Sequence, residues 1–431
     1  MGYSTEINDP IHGFIGLSPL EIKIIDSEPY QRLRRVRQLS GGYLVYPAAE
    51  HTRFGHCIGA MFLAGLMAER LLPQIGLEKE SIQEVRIASL LHDIGHGPFS
   101  HVFEESLLES RGLNHEDVTE WIIRESEIGD IIEEGGFTKT RVADLVRGRR
   151  RMRKDSVTSG IVAGQVDVDK MDYLVRDSFY CGVNYGLVDI HRLIGSIEIS
   201  DDMEIEFSIA ARGALEAFLV ARYEMFLNVY YHKTVRSVEV MLVRMMDAAD
   251  KALNLTGFKT PEEFLEIDDS SLVSKVRRLN PSESEYAREA RRMIDLLDAR
   301  VLYKSAFEKV LHTQDHFVSK LLTKRKVRES LQEEIASKAD VPFEDVIVDV
   351  PTLPSVPHNP RQLNPMEIGV YELIEDRRVS RHLSDYSNIA ESMKVYLDVI
   401  RVYTSDKHRK AVGRAAREVF QEVPSAALIH M

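Results

Sequence analysis

Six of the 15 histidines (His51, His56, His92, His96, His101 and His115) fall in one short stretch, where even spacing would put about two. That stretch is the first place to look for a metal or acid–base centre. Its central feature is the doublet His92-Asp93, which ends the apolar run IASLLHD. An imidazole nitrogen with a carboxylate oxygen suits a first-row divalent metal such as Mn, Fe, Co or Ni, and can also hold Mg or Zn. Successive helical residues diverge by about 100°, so the doublet grips one ion only if that ion lies between its two directions. Two residues do not complete a site. The segment His51-Thr52-Arg53-Phe54-Gly55-His56 offers a third donor, and Asp167-Val168-Asp169-Lys170-Met171-Asp172-Tyr173 a fourth. Which of Asp167, Asp169 and Asp172 donates, and which caps a helix, stays open on spacing alone.

These side chains need rigid elements to hold them. Residues 54–72 carry apolar side chains at helical spacing and stop at Pro73, and 81–94 repeat the pattern until Gly95, Gly97 and Pro98 break it. Ser100 is placed to cap a following helix whose first turn holds Glu104 and Glu105. Residues 166–179 and 211–250 read as helices. On the first, Asp169, Tyr173 and Asp177 form one stripe; on the second, Arg222, Phe226 and Tyr230 form another. Residues 195–209 alternate around Asp201-Asp202 as a β-hairpin. In the tail, 318–340 form a charged helical stretch and Val346 to Val350 a short strand. A proline-rich linker follows from Pro351 to Pro365, then strands at 366–374 and 394–403 and a basic helix at 405–421. The fold class is mainly α, a helical body with a small β-hairpin and a small C-terminal α+β appendage.

Composition sets outer bounds. The chain has 431 residues, 44% hydrophobic and 29% charged, the balance of a soluble globular protein. Two cysteines, Cys57 and Cys181, exclude a disulfide framework and cysteine-rich zinc sites. The first residues, Met1 to Glu6, have no signal-peptide character, and the longest apolar run, Ile58 to Ala68, is about half of what spans a bilayer. A cytoplasmic protein without membrane association is expected. A net charge of −13 disfavours non-specific nucleic-acid binding. Local positive charge gathers at Arg32, Arg34, Arg35 and Arg37 and along Arg147 to Lys154, each readable as a solvated face.

The order His…His-Asp…Asp resembles the HD phosphohydrolase superfamily. The fuller series is more specific: NDPIHG (8–13), QRLRRVRQL (31–39), HTRFGH (51–56), LLHDIGHGPFSH (90–101), NHE (114–116), VDVDKMDYLVRD (166–177) and YYHK (230–233). It is similar to the dNTP triphosphohydrolase branch, with bacterial dGTPase-like enzymes and the vertebrate SAM- and HD-domain protein. The resemblance covers roughly residues 7–250, with a weaker echo at 388–420, and no SAM domain is visible. Together with the pattern of the tail, it gives an expected HD catalytic domain with a helical extension over 1–330 and a small C-terminal α+β region over 341–431, set off by the proline-rich linker.

The resemblance also assigns roles. His56, His92, Asp93 and Asp169 would ligate one divalent ion, and two imidazoles with two carboxylates balance such a charge. His115 would protonate the departing 5′-oxygen, with Glu116 beside it and His96 and His101 in the same machinery. Arg53, Lys170, Tyr173 and Arg222 would meet the triphosphate, where a guanidinium makes paired bonds. Gln38, Leu39, Asp177 and Tyr230 would enclose the deoxyribose and exclude a 2′-hydroxyl. Asp26, Gln31 and Arg34 match a regulatory nucleotide site, although Thr5 and Glu6 lack a basic residue expected nearby and Phe226 replaces a histidine. The implied partners are a dNTP substrate, an activating nucleotide and further copies in a dimer or tetramer. Two other readings compete. One is an HD hydrolase for another phosphorylated nucleotide. The other is a nucleotide or single-stranded nucleic-acid binder with a vestigial site, resting on Arg147 to Lys154, which lacks interleaved aromatics.

Overall fold

The computed structural model describes residues 3–108, 111–313, 322, 324–354, 368–375, 377–393 and 396–422. The body is mainly helical, as expected. Its central helix, Arg53–Leu71, is buried on nearly every face. Continued to Ile75, this segment is long and apolar enough to cross a membrane, but 61% of that window is buried inside the fold, as in a core helix. Lys79–Leu91 and Val168–Cys181 pack on it. Lys79–Leu91 buries Ile82, Val85, Leu90 and Leu91, and ends at His92. Val168–Cys181 starts at Asp167, whose side chain accepts from the Lys170 amide, and stops at Gly182 with φ 67°. His115–Glu125 opens on a capping box between Asn114 and Asp117.

Two glycines permit close approaches that the site requires. A Cβ on Gly59 would lie 1.9 Å from Asp172 Oδ1, so only glycine lets that carboxylate reach the central helix. A Cβ on Gly95 would lie 2.3 Å from the His115 carbonyl oxygen and 2.3 Å from the Thr119 nitrogen, so glycine brings His115–Glu125 against the His-Asp doublet.

Several elements depart from expectation. An N-terminal hairpin, Thr5–Asp9 with Gly13–Leu17, carries the NDPIHG segment in its turn. The 211–250 stretch is broken into Arg212–Met225, a π-helical turn Phe226–Tyr230, and Lys233–Leu253. Ser100 makes no side-chain cap. It sits at φ 57°, ψ −120°, with its hydroxyl accepting from Arg53 Nε (2.7 Å) and donating to the Arg37 carbonyl (2.6 Å). The backbone takes this left-handed region at both Phe99 and Ser100, and the bonds to Arg53 and Arg37 are what hold it there.

The C-terminal sheet is built on Tyr396–Thr404, with Lys304–Thr313 antiparallel on one side and Ile347–Asp349 and Thr352–Pro354 on the other. Helices Arg325–Ala339 and Arg409–Glu422 cover it around a small separate core that includes Ile335, Val348, Val402, Val412 and Phe420. Lys304–Thr313 was not foreseen as a strand. It brings a segment from before residue 330 into this sheet, so the expected split at 330–341 does not coincide with the sheet's edge. Gly369–Ile374 pairs with Arg377–His382, and also in parallel with Ile205–Ser208 of the body hairpin. Residues 355–367, the greater part of the proline-rich segment, and 318–321 and 323 of the charged stretch lie outside the described residues.

Candidate metal centre and its surroundings

Three separate stretches bring four donors together. His56 Nε2 lies 3.3 Å from His92 Nε2, 3.1 Å from Asp169 Oδ1 and 3.6 Å from Asp93 Oδ2. His92 Nε2 lies 3.4 Å from Asp93 Oδ1 and 3.6 Å from Asp169 Oδ1. The chemistry of this set fits a divalent ion. Both imidazoles spend Nδ1 on an acceptor, His56 on Asp172 Oδ2 (2.8 Å) and His92 on the Ser89 carbonyl (2.7 Å). Each is thereby fixed in the tautomer that turns the Nε2 lone pair to the shared centre. Asp167 is the helix cap and is engaged by Lys170, while Asp172 lies behind His56; this leaves Asp169 facing the centre.

The charges agree with a cation site. Burial opposes protonation of His56, but bonds to Asp169 and Asp172 outweigh it and raise its pKa to about 10. Burial likewise opposes a charged His92, and Asp93 and Asp169 hold it well above its usual value. The carboxyls of Asp93 and Asp169 stay well below the usual range despite burial, because Arg53 and the histidines face them. Without an ion, protons and Arg53 supply the positive charge this acidic cluster demands.

Asp172 anchors a buried chain of contacts behind the ligands. It accepts from His12 Nε2 (2.7 Å) and from Arg176 Nε (2.8 Å), and Arg176 reaches Asp9 Oδ2 at 2.8 Å. The NDPIHG turn thus steadies His56 from behind. Nothing in the sequence pattern marked Asp172 or His12 for this task.

A second histidine group adjoins the first. His96 Nε2 is 3.3 Å from Asp93 Oδ1, and its ring stacks on His115 at 4.0 Å and 14°. His115 donates from Nδ1 to Glu104 Oε2 (2.7 Å), and exposed His101 lies 3.3 Å from the same oxygen. Burial opposes charge on His115, but Glu104 outweighs it and raises the pKa. The carboxylate holding His115 is therefore Glu104. Glu116, expected in that role, is turned to Arg147 at 3.3 Å. The reason is geometric: Glu116 follows His115 on the helix and projects about 100° away from it. His96, His101, Glu104 and His115 lie close enough to suggest another metal site. The parallel stacking of His96 and His115 argues against it, since lone pairs in stacked rings do not converge on one ion.

The remaining expected residues fall into three groups. Arg53 forks between Asp93 and Ser100, beside the centre. Tyr173 OH accepts from Arg222 Nη1 (2.7 Å), Arg222 lies over Phe226, and Tyr230 OH donates to Asp177 Oδ2 (2.8 Å). Asp177 is also bonded by His51 (2.7 Å), which stacks on Tyr180. Gln38 donates its backbone N–H to the His51 carbonyl (3.0 Å) and keeps a buried side-chain Oε1 with no partner among the described residues, while Leu39 packs on the core. Lys170 is turned away, onto Asp167 (2.5 Å) and the Gly164 carbonyl. Of the regulatory set, Gln31 accepts from Arg34 (2.8 Å), Arg34 stacks 3.5 Å over Phe54, and Asp26 is exposed on the preceding helix. The basic run is largely neutralised: Arg147, Arg149, Arg150 and Arg151 pair with Glu116, Asp117, Glu120, Asp144 and Glu204. That is the solvated-face reading rather than a nucleic-acid surface.

Comparison with known proteins agrees with this geometry. Residues 53–177 match the HD domain and residues 188–427 the HD associated region. An uncharacterised protein of Methanocaldococcus jannaschii is 32% identical over 397 residues, covering 90% of this chain and 76% of that one. Human deoxynucleoside triphosphate triphosphohydrolase SAMHD1 is 31% identical over 464 residues, covering 96% and 72%. A Dictyostelium discoideum homologue of SAMHD1 is 34% identical over 321 residues, covering 71% and 61%. The crystal structure of a hypothetical protein from Aquifex aeolicus superposes with a TM-score of 0.75 at 28% identity, over 96% of this chain and 99% of that one. With three ligand-bearing stretches inside the matched domain and the C-terminal sheet inside the associated region, this chain belongs to the HD-domain phosphohydrolase family.

Proposed function

We propose that the chain hydrolyses deoxynucleoside triphosphates to the deoxynucleoside and inorganic triphosphate, using one divalent ion held by His56, His92, Asp93 and Asp169. The observation that carries this reading is the His115–Glu104 couple set against the ligand cluster, joined to it through His96 and Asp93. The relatives named as deoxynucleoside triphosphate triphosphohydrolases support the choice of substrate. When bound, the ion would polarise the α-phosphoryl group and present a water for attack.

The chain's own residues account for the rest. With Nδ1 committed to Glu104, a protonated His115 has Nε2–H to give, and Glu104 raises its pKa so that this proton is held more firmly. As the water oxygen bonds to the α-phosphorus and the bond to O5′ breaks, this proton passes to O5′, and triphosphate departs intact. Arg222 and Tyr173 are linked beside Asp169, where a phosphate chain extending from the centre would meet them. The Tyr230–Asp177 pair would close on the sugar: the ring leaves no room at C2′, and Asp177 accepts from the 3′-hydroxyl. Each dNTP, alone and mixed, should be incubated with the protein and Mn or Mg, and the products separated by anion exchange. Tripolyphosphate is expected. Inorganic phosphate or pyrophosphate as the sole product overturns the proposal.

A further inference from the structure

Glu104 and Glu105 are consecutive residues of one π-helical turn, Glu104–Leu108, yet they serve opposite neighbours. Glu104 faces the histidines. Glu105 faces two guanidinium groups, with Oε2 3.7 Å from Arg236 Nη2 and Oε1 3.7 Å from Arg328 Nη1. Ser106 follows, donating to Asp247 Oδ1 at 2.5 Å, and Asp247 Oδ2 lies 3.9 Å from Arg325 Nη2. Arg236, on Lys233–Leu253, forks onto Asp349 at 2.6 and 3.1 Å and also donates to Glu239 at 2.7 Å. Arg325, Arg328 and Asp349 all belong to the C-terminal α+β unit. Of three successive residues in this turn, one therefore holds His115 and two are tied, directly or through one intermediary, to that unit.

The charge balance makes the tie strict. Arg236 alone faces Asp349, Glu239 and Glu105. Burial, with Glu105 and Asp349 adding to it against Arg236, pushes Glu239 up to about 7. Without Arg328, Glu105, whose side chain is about a third exposed, would share Arg236 with two better-bonded carboxylates, and the weakest-held partner is the one released.

We infer that the C-terminal unit positions the proton donor: Arg328, together with the Asp349–Arg236 pair, fixes Glu105 and so keeps the Glu104 carboxylate on His115. Arg328 is thus a positioning residue. The inference rests on the reading of His115 as the acid, and the test separates the two.

The variants are Arg328→Gln, the charge-keeping Arg328→Lys, and His115→Asn, all in the full chain. The readouts are kcat, KM and the limb where kcat falls as pH rises. Arg328→Gln should lower kcat about tenfold or more with KM within about twofold. It should also move the limb to lower pH by about one unit, because His115 loses the carboxylate that raises its pKa. Arg328→Lys, which keeps the positive charge facing Glu105, should retain both. If Arg328→Gln does not fold, Glu105→Gln reads the same contact from the other side and should shift the limb equally. A limb that stays in place in the folded variant overturns the coupling, whatever happens to kcat. A wild-type limb in His115→Asn removes the proton-donor reading, and the coupling falls with it.

Discussion

Gly95→Ala is a small change that tests the placement of the proton donor. The added Cβ would stand 2.3 Å from the His115 carbonyl oxygen and 2.3 Å from the Thr119 nitrogen, with Thr119 Oγ1 at 2.6 Å. Ordinary contact begins near 3.4 Å, so the helix His115–Glu125 must retreat by about 1 Å. Two of these obstacles are backbone atoms, so no side-chain rotation relieves the clash. The retreat strains the bond from the Gly95 amide to Thr119 Oγ1 (3.0 Å) and carries His115 off its stack with His96. Overpacking of this kind costs about 1–3 kcal/mol of stability. A displacement of about 1 Å in a catalytic group costs on the order of 100-fold in rate. The assay is kcat on the best dNTP, with thermal unfolding and metal content measured on the same preparation. Bound metal should be retained, the unfolding temperature should drop by several degrees, and kcat should fall about 100-fold with little change in KM. Turnover within about threefold of wild type would refute the claim that the spacing between the doublet and His115 is critical.

Asp172→Asn keeps the shape but removes the charge that orients His56, and divalent-ion affinity should weaken about 10- to 100-fold by equilibrium dialysis. The metal-free protein should show a specific pH signature. The His56 pKa is raised to about 10 from an ordinary 6.5, so its stabilising contribution is complete below pH 6.5 and is lost as pH rises toward 10. Denaturant unfolding of the chelated protein should show that decline, and metal-loaded protein should not, because the ion replaces the proton. By the same linkage, ion binding at pH 7 should release protons, detectable as a buffer-dependent heat, and affinity should fall as pH is lowered. Glu104→Gln withdraws the carboxylate that raises the His115 pKa, so the high-pH limb of kcat should move to lower pH while metal content stays unchanged.

The His92-Asp93 doublet was legible because it closes an apolar run that specifies its own helix, whereas His56 and Asp169 were singled out by the family resemblance, spacing alone leaving Asp167, Asp169 and Asp172 open. The stripes Asp169–Tyr173–Asp177 and Arg222–Phe226–Tyr230 were legible too, since helical spacing already puts them on one face. Glu104 was not. It lies 11 residues before His115, on a π-helical turn after two residues with positive φ, and no periodic reading anticipates that geometry. Glu116 was the natural choice by adjacency, yet adjacency along a helix separates side chains instead of joining them. Lys304–Thr313 escaped notice because Lys304, Glu308 and Lys309 interrupt its alternation, and its pairing with Tyr396–Thr404 is a long-range choice that local sequence does not encode. Ser100 looked like a cap by residue type. Its hydroxyl serves Arg53 and Arg37 instead, which only the folded arrangement reveals.

Counting ions tests the whole account most directly. The protein should be stripped with a chelator, reloaded with Mn or Co, dialysed and analysed for metal per chain, beside folded His56→Ala, Asp93→Ala and Asp169→Ala variants. One tightly held ion in the wild type, and loss of that ion in each variant, is the predicted result. Stoichiometric metal in Asp93→Ala, or none in the wild type under conditions where it turns over substrate, would contradict a shared centre built by these side chains.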